Sequence, residues 1–182
     1  EFIVPRFSSI LSLIFAVIFL AACSTAPKKP SQPLNPATVQ KLKKMSLPSQ
    51  LPVPVQGIKR NNLTDTWGAS RSSGRIHEGV DIMAPRGTKV FSTTEGLIAD
   101  LRNNNLGGKV IWVLGPSGSW HYYAHLDGHK RGLRVGDYIK KGDLIGYVGN
   151  TGNARRTAPH LHYGIYLGGK GRGAVNPYPY LR

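Results

Sequence analysis

Three short blocks of the sequence place histidine and aspartate side chains at spacings that suit metal-dependent hydrolysis. They read HEGVD at residues 77–81, HYYAH at 121–125 and HLH at 160–162. Two histidines and one carboxylate are a known ligand set for catalytic zinc, which keeps a fourth position open for water. His77, Asp81 and one histidine of HLH can supply that set, so the blocks together indicate a metal centre.

The backbone around these blocks must bring the side chains together. Because side chains alternate between the two faces of a strand, His160 and His162 project to the same side if Pro159 begins a strand. Gly79 lies inside HEGVD and relaxes the backbone, so the histidine and the aspartate of this block can point into one cavity.

The same alternation predicts where the residues of HYYAH point. His121, Tyr123 and His125 are expected on one face of a strand, and Tyr122 and Ala124 on the other face. His121 could therefore line the same groove as His125, or it could be a partly exposed structural residue.

The chain after Gly57 favours an all-β domain. All 22 glycines lie from Gly57 onward, and no stretch there keeps a helical period of apolar residues. Short β-rich runs alternate with glycine turns. The predicted strands are Lys89–Ser92, Gly96–Leu101, Lys109–Leu114, Trp120–His125, Asp143–Val148 and Leu161–Leu167. GTKVFSTTEGLIADLR and GDYIKKGDLIGYVGNTG share a pattern of glycines and strands, which predicts two similar strand–turn units.

The chain is strongly basic, with a formal net charge of +15. Such a charge favours polyanionic surroundings such as nucleic acid, anionic lipid or an acidic wall polymer, although it also suits a plain solubility surface. The basic segments contain no Lys/Arg-rich runs interleaved with aromatic residues, which argues against nucleic-acid binding.

Residues 1–22 have the layout of a secretory signal peptide. Arg6 precedes the apolar stretch Phe7–Ala22, which is short for a bilayer span of roughly 20 residues. Leu20–Cys23 resembles the lipobox of bacterial lipoproteins, where cleavage leaves a lipid-modified cysteine. We therefore expect a lipidated Cys23; an uncleaved anchor, or a plain signal with a chance cysteine, is the alternative.

Residues 23–58 are predicted to form a disordered tether between the lipid and the domain. The segment Ser24–Val55 contains seven of the 13 prolines and no glycine. Pro-rich polar sequence of this kind buries too little apolar surface to fold. A short helix at Thr38–Met45 is the one element expected there.

The domain at residues 59–182 resembles the lysostaphin/LytM-type zinc metallopeptidases, which cut peptide cross-links in bacterial peptidoglycan. The blocks GRIHEGVDIMAPRGTKV, YYAHL, VGDYIKKGDLIGYVGNTG and APHLHYGIY match that family in order and spacing. The resemblance implies a compact antiparallel, sandwich-like β domain of the duplicated hybrid motif type, with Zn2+ in a long groove.

The resemblance also implies roles for single residues. The zinc ligands would be His77, Asp81 and His162, and the catalytic histidines that stay off the metal would be His125 and His160. Zinc would acidify a water molecule and polarise the scissile carbonyl, while one neutral imidazole would take the proton of the water. Which of the two imidazoles acts as the base is left open.

The implied function is hydrolysis of peptidoglycan cross-links. D-Alanyl–diaminopimelate cross-links are favoured over glycine bridges, because Ser24 after Cys23 is typical of lipoproteins sorted to an outer membrane, and such walls usually lack glycine bridges. We expect an exported enzyme that is anchored through Cys23 and faces the periplasm. The alternative is a catalytically silent, wall-binding regulator of murein amidases; such relatives lose metal ligands, whereas this chain keeps all of them.

The remaining candidate side chains carry weaker expectations. Arg155 and Arg156 could clamp carboxylates of a substrate, or they could form an exposed basic loop. His129 is expected in a solvated turn. The tryptophans expected in the core or the groove wall are Trp67, Trp112 and Trp120.

Overall fold

The computed structural model describes residues 33–182, so the predicted signal peptide and the lipidated Cys23 lie outside the described residues. The described part contains the helices α1 (Pro36–Lys44) and α2 (Tyr178–Leu181). Its strands are β1 (Val80–Met83), β2 (Lys89–Phe91), β3 (Gly96–Asn104), β4 (Gly108–Leu114), β5 (Trp120–His129), β6 (Tyr138–Ile139), β7 (Leu144–Val148), β8 (His160–Tyr166) and β9 (Ala174–Val175). Neither of these helices is long and apolar enough to cross a bilayer.

The predicted all-β fold is confirmed. Each of the six predicted runs contains a strand, and the described strands pair with one another in antiparallel fashion. The prediction missed β1, β6 and β9, which are only two to four residues long. Strands this short carry too few alternations to stand out in a sequence.

The strands β1, β8, β5, β4, β3 and β6 follow one another across the sheet. β8 pairs with β5 as far as Ala124, whereas from Leu126 onward β5 pairs with β7. Between Tyr123 and Leu126, β5 has one residue more than β4, so the pairing shifts at a β-bulge. The change of partners therefore occurs at His125, whose φ of 61° lies in the left-handed region.

The two similar strand–turn units pair with each other. The first unit forms β2 and β3, and the second forms β6 and β7. β2 pairs with β7, and β3 pairs with β6. Each unit therefore completes the sheet of the other, which is the arrangement that a duplicated motif produces.

The segment before the domain differs from the predicted tether. Within residues 33–58, Leu51 and Val55 are buried in the main hydrophobic core. The backbone N–H of Leu51 donates to the carbonyl of Tyr180 at 2.7 Å, and the carbonyl of Pro54 accepts from Phe91 at 2.8 Å. The tether prediction is therefore wrong for this part of the chain. Its average composition is polar, but a few isolated apolar side chains fit the core, and burying each one stabilises the fold by about 1.5–3 kcal/mol.

The helix α1 confirms the predicted short helix, which begins two residues earlier than expected. Asn35 caps the helix, because its side-chain oxygen accepts from the backbone N–H groups of Ala37 and Thr38. Pro36 occupies the first helical position, where its missing N–H costs nothing. Leu42 is fully buried, so the helix packs onto the domain instead of extending from it.

Candidate metal centre and groove

The pairing of β1 with β8 brings two of the predicted ligands together. Asp81 lies directly opposite His162 in the register of the two strands, and cross-strand partners share one face of a sheet. His77 precedes β1, and its backbone N–H donates to the carbonyl of Ala69 at 2.9 Å. This hydrogen bond fixes the backbone of His77, whose imidazole lies within hydrogen-bonding distance of Asp81 and His162.

Three donor atoms lie close together. Nε2 of His77 lies 3.0 Å from Oδ1 of Asp81, and Nδ1 of His162 lies 3.2 Å from the same oxygen. The two imidazole nitrogens are 2.8 Å apart. A tetrahedral zinc site with bonds of about 2.0–2.1 Å separates its ligand atoms by about 3.3 Å. The donor types and their spacing therefore fit a divalent metal ion such as zinc.

Thr66 holds two of the three donors in place. Its carbonyl accepts from Nδ1 of His77 at 2.6 Å, which leaves Nε2 without a proton and available to a metal. Its hydroxyl oxygen accepts from the backbone N–H of Asp81 at 2.9 Å. The protein thus orients the ligand set before any ion arrives.

Asp81 is ionised at neutral pH. Burial alone would raise the pKa of this carboxyl group, but the contacts with the imidazoles of His162 and His77, and the positive charge of these rings when they are protonated, outweigh burial. The pKa of Asp81 is therefore held well below its ordinary value. A carboxylate that stays charged is the form that a divalent cation requires.

Gly79 acts by its size. A Cβ atom at this position would lie 2.6 Å from Cε1 of His162 and 2.7 Å from the carbonyl oxygen of Tyr163. Its φ is not positive, so the expected relaxation of the backbone is not what the site uses. The glycine instead leaves room for the imidazole of His162 beside β1.

His125 and His160 lie beside the three donors on the same face. Their ring centroids are 5.0 Å apart, and the ring of His125 is 6.0 Å from that of His162. Nδ1 of His125 donates to the carbonyl of Thr151, and Nδ1 of His160 donates to the carbonyl of Ala158, both at 2.9 Å. Each neutral imidazole therefore keeps Nε2 free of a proton.

The environment keeps His125 neutral. Burial is the main cause that lowers the pKa of His125, the nearby His162 and His160 act in the same direction, and the hydrogen bond to Thr151 and the charge of Asp81 oppose them, with a net pKa of about 4. An imidazole that is neutral and has a free Nε2 can accept a proton, which is the role of a general base.

The expected faces of HYYAH are wrong at one residue. His121 and Tyr123 point into the protein and are fully buried, whereas His125 lines the groove together with Tyr122 and Ala124. The left-handed backbone of His125 inserts the extra residue of the bulge, which reverses the alternation at that point. Simple period-two counting from His125 therefore puts His121 and Tyr123 on the groove face, whereas the structure buries both of them.

The other candidate residues lie away from the groove. Nε2 of His121 is 2.9 Å from the Ser119 hydroxyl, and Nδ1 is 2.8 Å from that of Tyr163. His121 is therefore structural, as expected, but it is buried and not partly exposed. His129 is the last residue of β5, and its Nε2 lies 3.0 Å from the carbonyl oxygen of Val110. Arg155 and Arg156 are exposed and do not line the groove.

Trp112 and Trp120 belong to a cluster of packed aromatic side chains. The ring of Trp112 packs against Tyr122 at 4.4 Å and against Tyr166 at 5.3 Å between centroids. Trp120 packs edge-on to Trp112 at 6.4 Å. Tyr122 in turn packs edge-on to His162 at 5.8 Å between centroids. The aromatic cluster therefore contacts one predicted metal ligand through Tyr122. Trp67 is half-buried.

The groove has a cavity volume of about 760 Å³. All five predicted site residues line it, namely His77, Asp81, His125, His160 and His162. Its rim also carries the apolar side chains of Ile76, Met83 and Leu106, which are 62%, 54% and 53% exposed. The groove can therefore hold a metal ion, a water molecule and an extended peptide with small apolar side chains.

Three residues of the site have no counterpart among the sequence-based predictions. Thr66 orients two ligands, Arg71 donates to Asp81, and Tyr122 packs against His162. Thr66 and Arg71 precede His77 in a loop, and no periodic pattern points to them. Period-two alternation counted from His125 predicts Tyr122 on the opposite face, and the bulge at His125 reverses that alternation.

Comparisons with known proteins connect this site to one family. The sequence profile of peptidase family M23 matches residues 75–177. The L-Ala–D-Glu endopeptidase of Bacillus subtilis is 40% identical over 125 residues, which are 64% of this chain and 38% of that protein. The peptidoglycan DD-endopeptidase ShyC of Vibrio cholerae is 32% identical over 95 residues, or 52% of this chain and 21% of that protein. The chain thus spans less than two fifths of these curated relatives.

A solved structure shows the same architecture. The catalytic domain of lysostaphin from Staphylococcus simulans superposes with a TM-score of 0.59 at 32% identity. The match covers 66% of this chain and 93% of that domain. The antiparallel β-sheet is therefore a shared framework.

Proposed function

Because the chain belongs to peptidase family M23 and carries a metallo-endopeptidase domain of the lysostaphin and LytM type, we propose that it hydrolyses peptide bonds in peptidoglycan with a zinc ion. The proposed ligands are His77, Asp81 and His162, and the proposed catalytic residues are His125 and His160. One observation carries this proposal: two imidazoles with free Nε2 atoms stand beside three donor atoms that are spaced for a tetrahedral ion.

The reaction adds water across an amide bond. A bound zinc ion would supply Lewis acidity, which polarises the scissile carbonyl and acidifies water. Nε2 of His125 or His160 takes one proton of the attacking water, and the oxygen of that water bonds to the carbonyl carbon. The resulting imidazolium donates its proton to the leaving nitrogen as the C–N bond breaks, so the products are a carboxylic acid and an amine.

The favoured substrate is the D-alanyl–diaminopimelate cross-link. The name of the Vibrio cholerae relative describes a DD-endopeptidase, which supports this choice. A second candidate is the L-Ala–D-Glu bond of the stem peptide, because the Bacillus subtilis relative is 40% identical and is named for that bond. In both bonds, alanine supplies the carbonyl group.

Action on peptidoglycan requires a position outside the cytoplasm. A lipid on Cys23 would hold the enzyme on the envelope, with the outer membrane and the periplasmic side favoured by Ser24. Nine residues, 24–32, separate Cys23 from the described part of the chain, and a fully extended chain of that length spans about 30 Å at most. A mass spectrum of the mature N-terminus tests the anchor, since the anchored protein begins at Cys23 and carries acyl mass.

The alternative of a silent, wall-binding regulator predicts that the protein binds peptidoglycan without cutting it. Such a protein needs no metal, whereas this chain has the complete set of three donors and also Thr66, which orients them. This observation favours the enzyme.

Digestion of purified peptidoglycan tests the proposed function. The full mature protein is incubated with walls that contain diaminopimelate cross-links and with walls that contain glycine bridges, and the new peptide ends are identified by mass spectrometry. New D-alanyl carboxyl ends would support the first substrate, and new L-alanyl ends would support the second. Wall binding without any new ends, at full zinc content, would instead favour the regulator.

A further inference from the structure

A guanidinium group stands next to the predicted metal site. Nη2 of Arg71 donates to Oδ2 of Asp81 at 2.5 Å, while Oδ1 of the same carboxylate faces His77 and His162. The side chain of Arg71 is 37% exposed and lines the groove. A cation is therefore available to a substrate close to the reacting bond.

Most of the donors of Arg71 are free to bind a ligand. A guanidinium group carries five N–H donors in a fixed fork, and among the described residues only Asp81 accepts from the side chain of Arg71. Arg75 also lines the groove, but its side chain folds back onto Ser72, where Nε donates to the carbonyl at 3.2 Å and Nη2 to the hydroxyl at 3.1 Å. Arg71 is thus the arginine whose fork faces the site.

The local backbone holds Arg71 at this place. The N–H of Arg71 donates to the carbonyl of Arg75 at 2.8 Å, and Ser70 pairs with Ile76 in an isolated antiparallel bridge. The tight turn between them includes Ser73 and Gly74 in the left-handed region. His77 follows this small hairpin directly, so the same hairpin positions both Arg71 and the first predicted ligand.

The charges at this end of the groove favour an anion. A divalent ion and Arg71 together would carry three positive charges, against one negative charge on Asp81. Glu78 and Arg75 add one further charge of each sign to the groove lining. A carboxylate is the anion whose two oxygens match the planar fork of an arginine.

The two candidate substrates share a carboxylate at the right place. In each bond, alanine supplies the carbonyl and presents only a methyl group. The residue that supplies the nitrogen, diaminopimelate or glutamate, bears an ionised carboxylate on the carbon that is bonded to that nitrogen. A glycine bridge has no such group.

We propose that Arg71 is a specificity-determining residue that binds the carboxylate on the carbon next to the scissile nitrogen. This inference rests on the proposed endopeptidase function and deepens it. Arg71 admits peptides whose leaving-group residue is an acidic diaminopimelate or glutamate, and it disfavours glycine bridges and peptides in which that carboxylate is a carboxamide. The exposed side chains of Ile76 and Met83 provide apolar surface for the alanine methyl group.

Two synthetic peptides test the proposal. They contain the same alanyl–diaminopimelate bond and differ only in a carboxylate or a carboxamide next to the scissile nitrogen. Zinc-loaded wild-type protein should cleave the carboxylate peptide with a kcat/KM about 10- to 100-fold higher, which is the usual value of a charge-assisted hydrogen bond. Arg71→Gln should lower kcat/KM for the carboxylate peptide by that factor and leave the carboxamide peptide nearly unchanged.

Matched variants separate recognition from an effect on the metal. Arg156→Gln removes an exposed arginine outside the groove and should behave as wild type. Zinc content, measured by mass spectrometry after dialysis, should stay at one equivalent in Arg71→Gln, and Arg71→Lys should recover part of the preference, because it restores the charge without the fork.

Two results would overturn the proposal. Equal cleavage of both peptides by the wild-type protein would exclude carboxylate recognition, whether or not the variants fold. An equal loss on both peptides in Arg71→Gln, with loss of zinc, would show that Arg71 acts only by positioning Asp81. Failure of the wild-type protein to cut either peptide or whole peptidoglycan would refute the endopeptidase function itself.

Discussion

Asp81 and His162 face each other across the antiparallel pair of β1 and β8, with Oδ1 of the carboxylate 3.2 Å from Nδ1 of the imidazole. The geometry of the predicted metal site therefore depends on the register between β1 and β8. A slip of one residue between the strands would send one of the two side chains to the other face of the sheet.

Replacement of His162 with Ala should remove metal binding and activity together, because it deletes one of three donors. Loss of a supporting partner alone weakens metal affinity by about 10–100-fold, so loss of a ligand should exceed that range. The measurement is zinc content after dialysis, with peptidoglycan hydrolysis in parallel. Arg156→Ala is the matched surface control. A His162→Ala protein that keeps one equivalent of zinc would contradict the assignment.

His125→Ala and His160→Ala should keep zinc and lose turnover. Their Nε2 atoms are predicted to move protons and not to bind the ion, and general acid–base groups contribute about 10²- to 10⁴-fold to a rate. Single-turnover cleavage at equal zinc content measures the loss. If zinc disappeared from either variant, the division between metal ligands and proton carriers would have to be redrawn.

The left-handed backbone of His125 should make glycine more stabilising than alanine at this position. A φ of 61° strains any residue with a Cβ, by about 1 kcal/mol. His125→Gly should therefore unfold at higher urea concentration than His125→Ala. The exposed Asn103 of β3, whose φ is not positive, is the control. Asn103→Gly should be less stable than Asn103→Ala. If the glycine variant were the less stable one at His125 as well, the predicted backbone strain at His125 would be refuted.

His121 should make the fold sensitive to acid. Burial lowers the pKa of His121 to about 3, whereas an unfolded histidine titrates near about 6.5. Between these values the unfolded chain binds one more proton than the folded one. The contribution of neutral His121 to the free energy of unfolding is therefore complete above about pH 6.5. Below that pH the contribution falls, by at most about 1.4 kcal/mol per pH unit.

The comparison for this prediction is His121→Gln. The difference in unfolding free energy between wild type and variant should shrink as the pH falls from 7 toward 4, because the variant lacks the titrating group. Denaturant titrations at several pH values measure it. A difference that is constant with pH would mean that His121 can be protonated inside the fold.

The segment before the domain should contribute to stability. Leu51 is fully buried, and replacing a buried leucine with alanine costs about 2–5 kcal/mol. Leu51→Ala should lower the unfolding free energy by that amount, whereas Ser49→Ala, at an exposed position, should change it little. Equal stability of the two variants would restore the tether interpretation.

Local sequence patterns predicted much of this protein. Six of the strands follow from alternating apolar runs between glycine turns, because both signals act over a few residues. The spacing of two in HLH placed His160 and His162 on one face, as the structure confirms. The similar units around β2–β3 and β6–β7 were also visible, since duplication repeats local patterns.

Tertiary structure alone decided the rest. A single extra residue in β5 turns His125 into the groove, and only the pairing with β4 reveals that residue. Arg71 reaches Asp81 because a small hairpin folds over β1, and Thr66 meets both ligands by the same packing. Leu51 is buried because distant strands form a core that accepts it. These contacts join residues that lie ten or more positions apart, so composition and periodicity, which describe only the nearest neighbours in the chain, cannot reveal them.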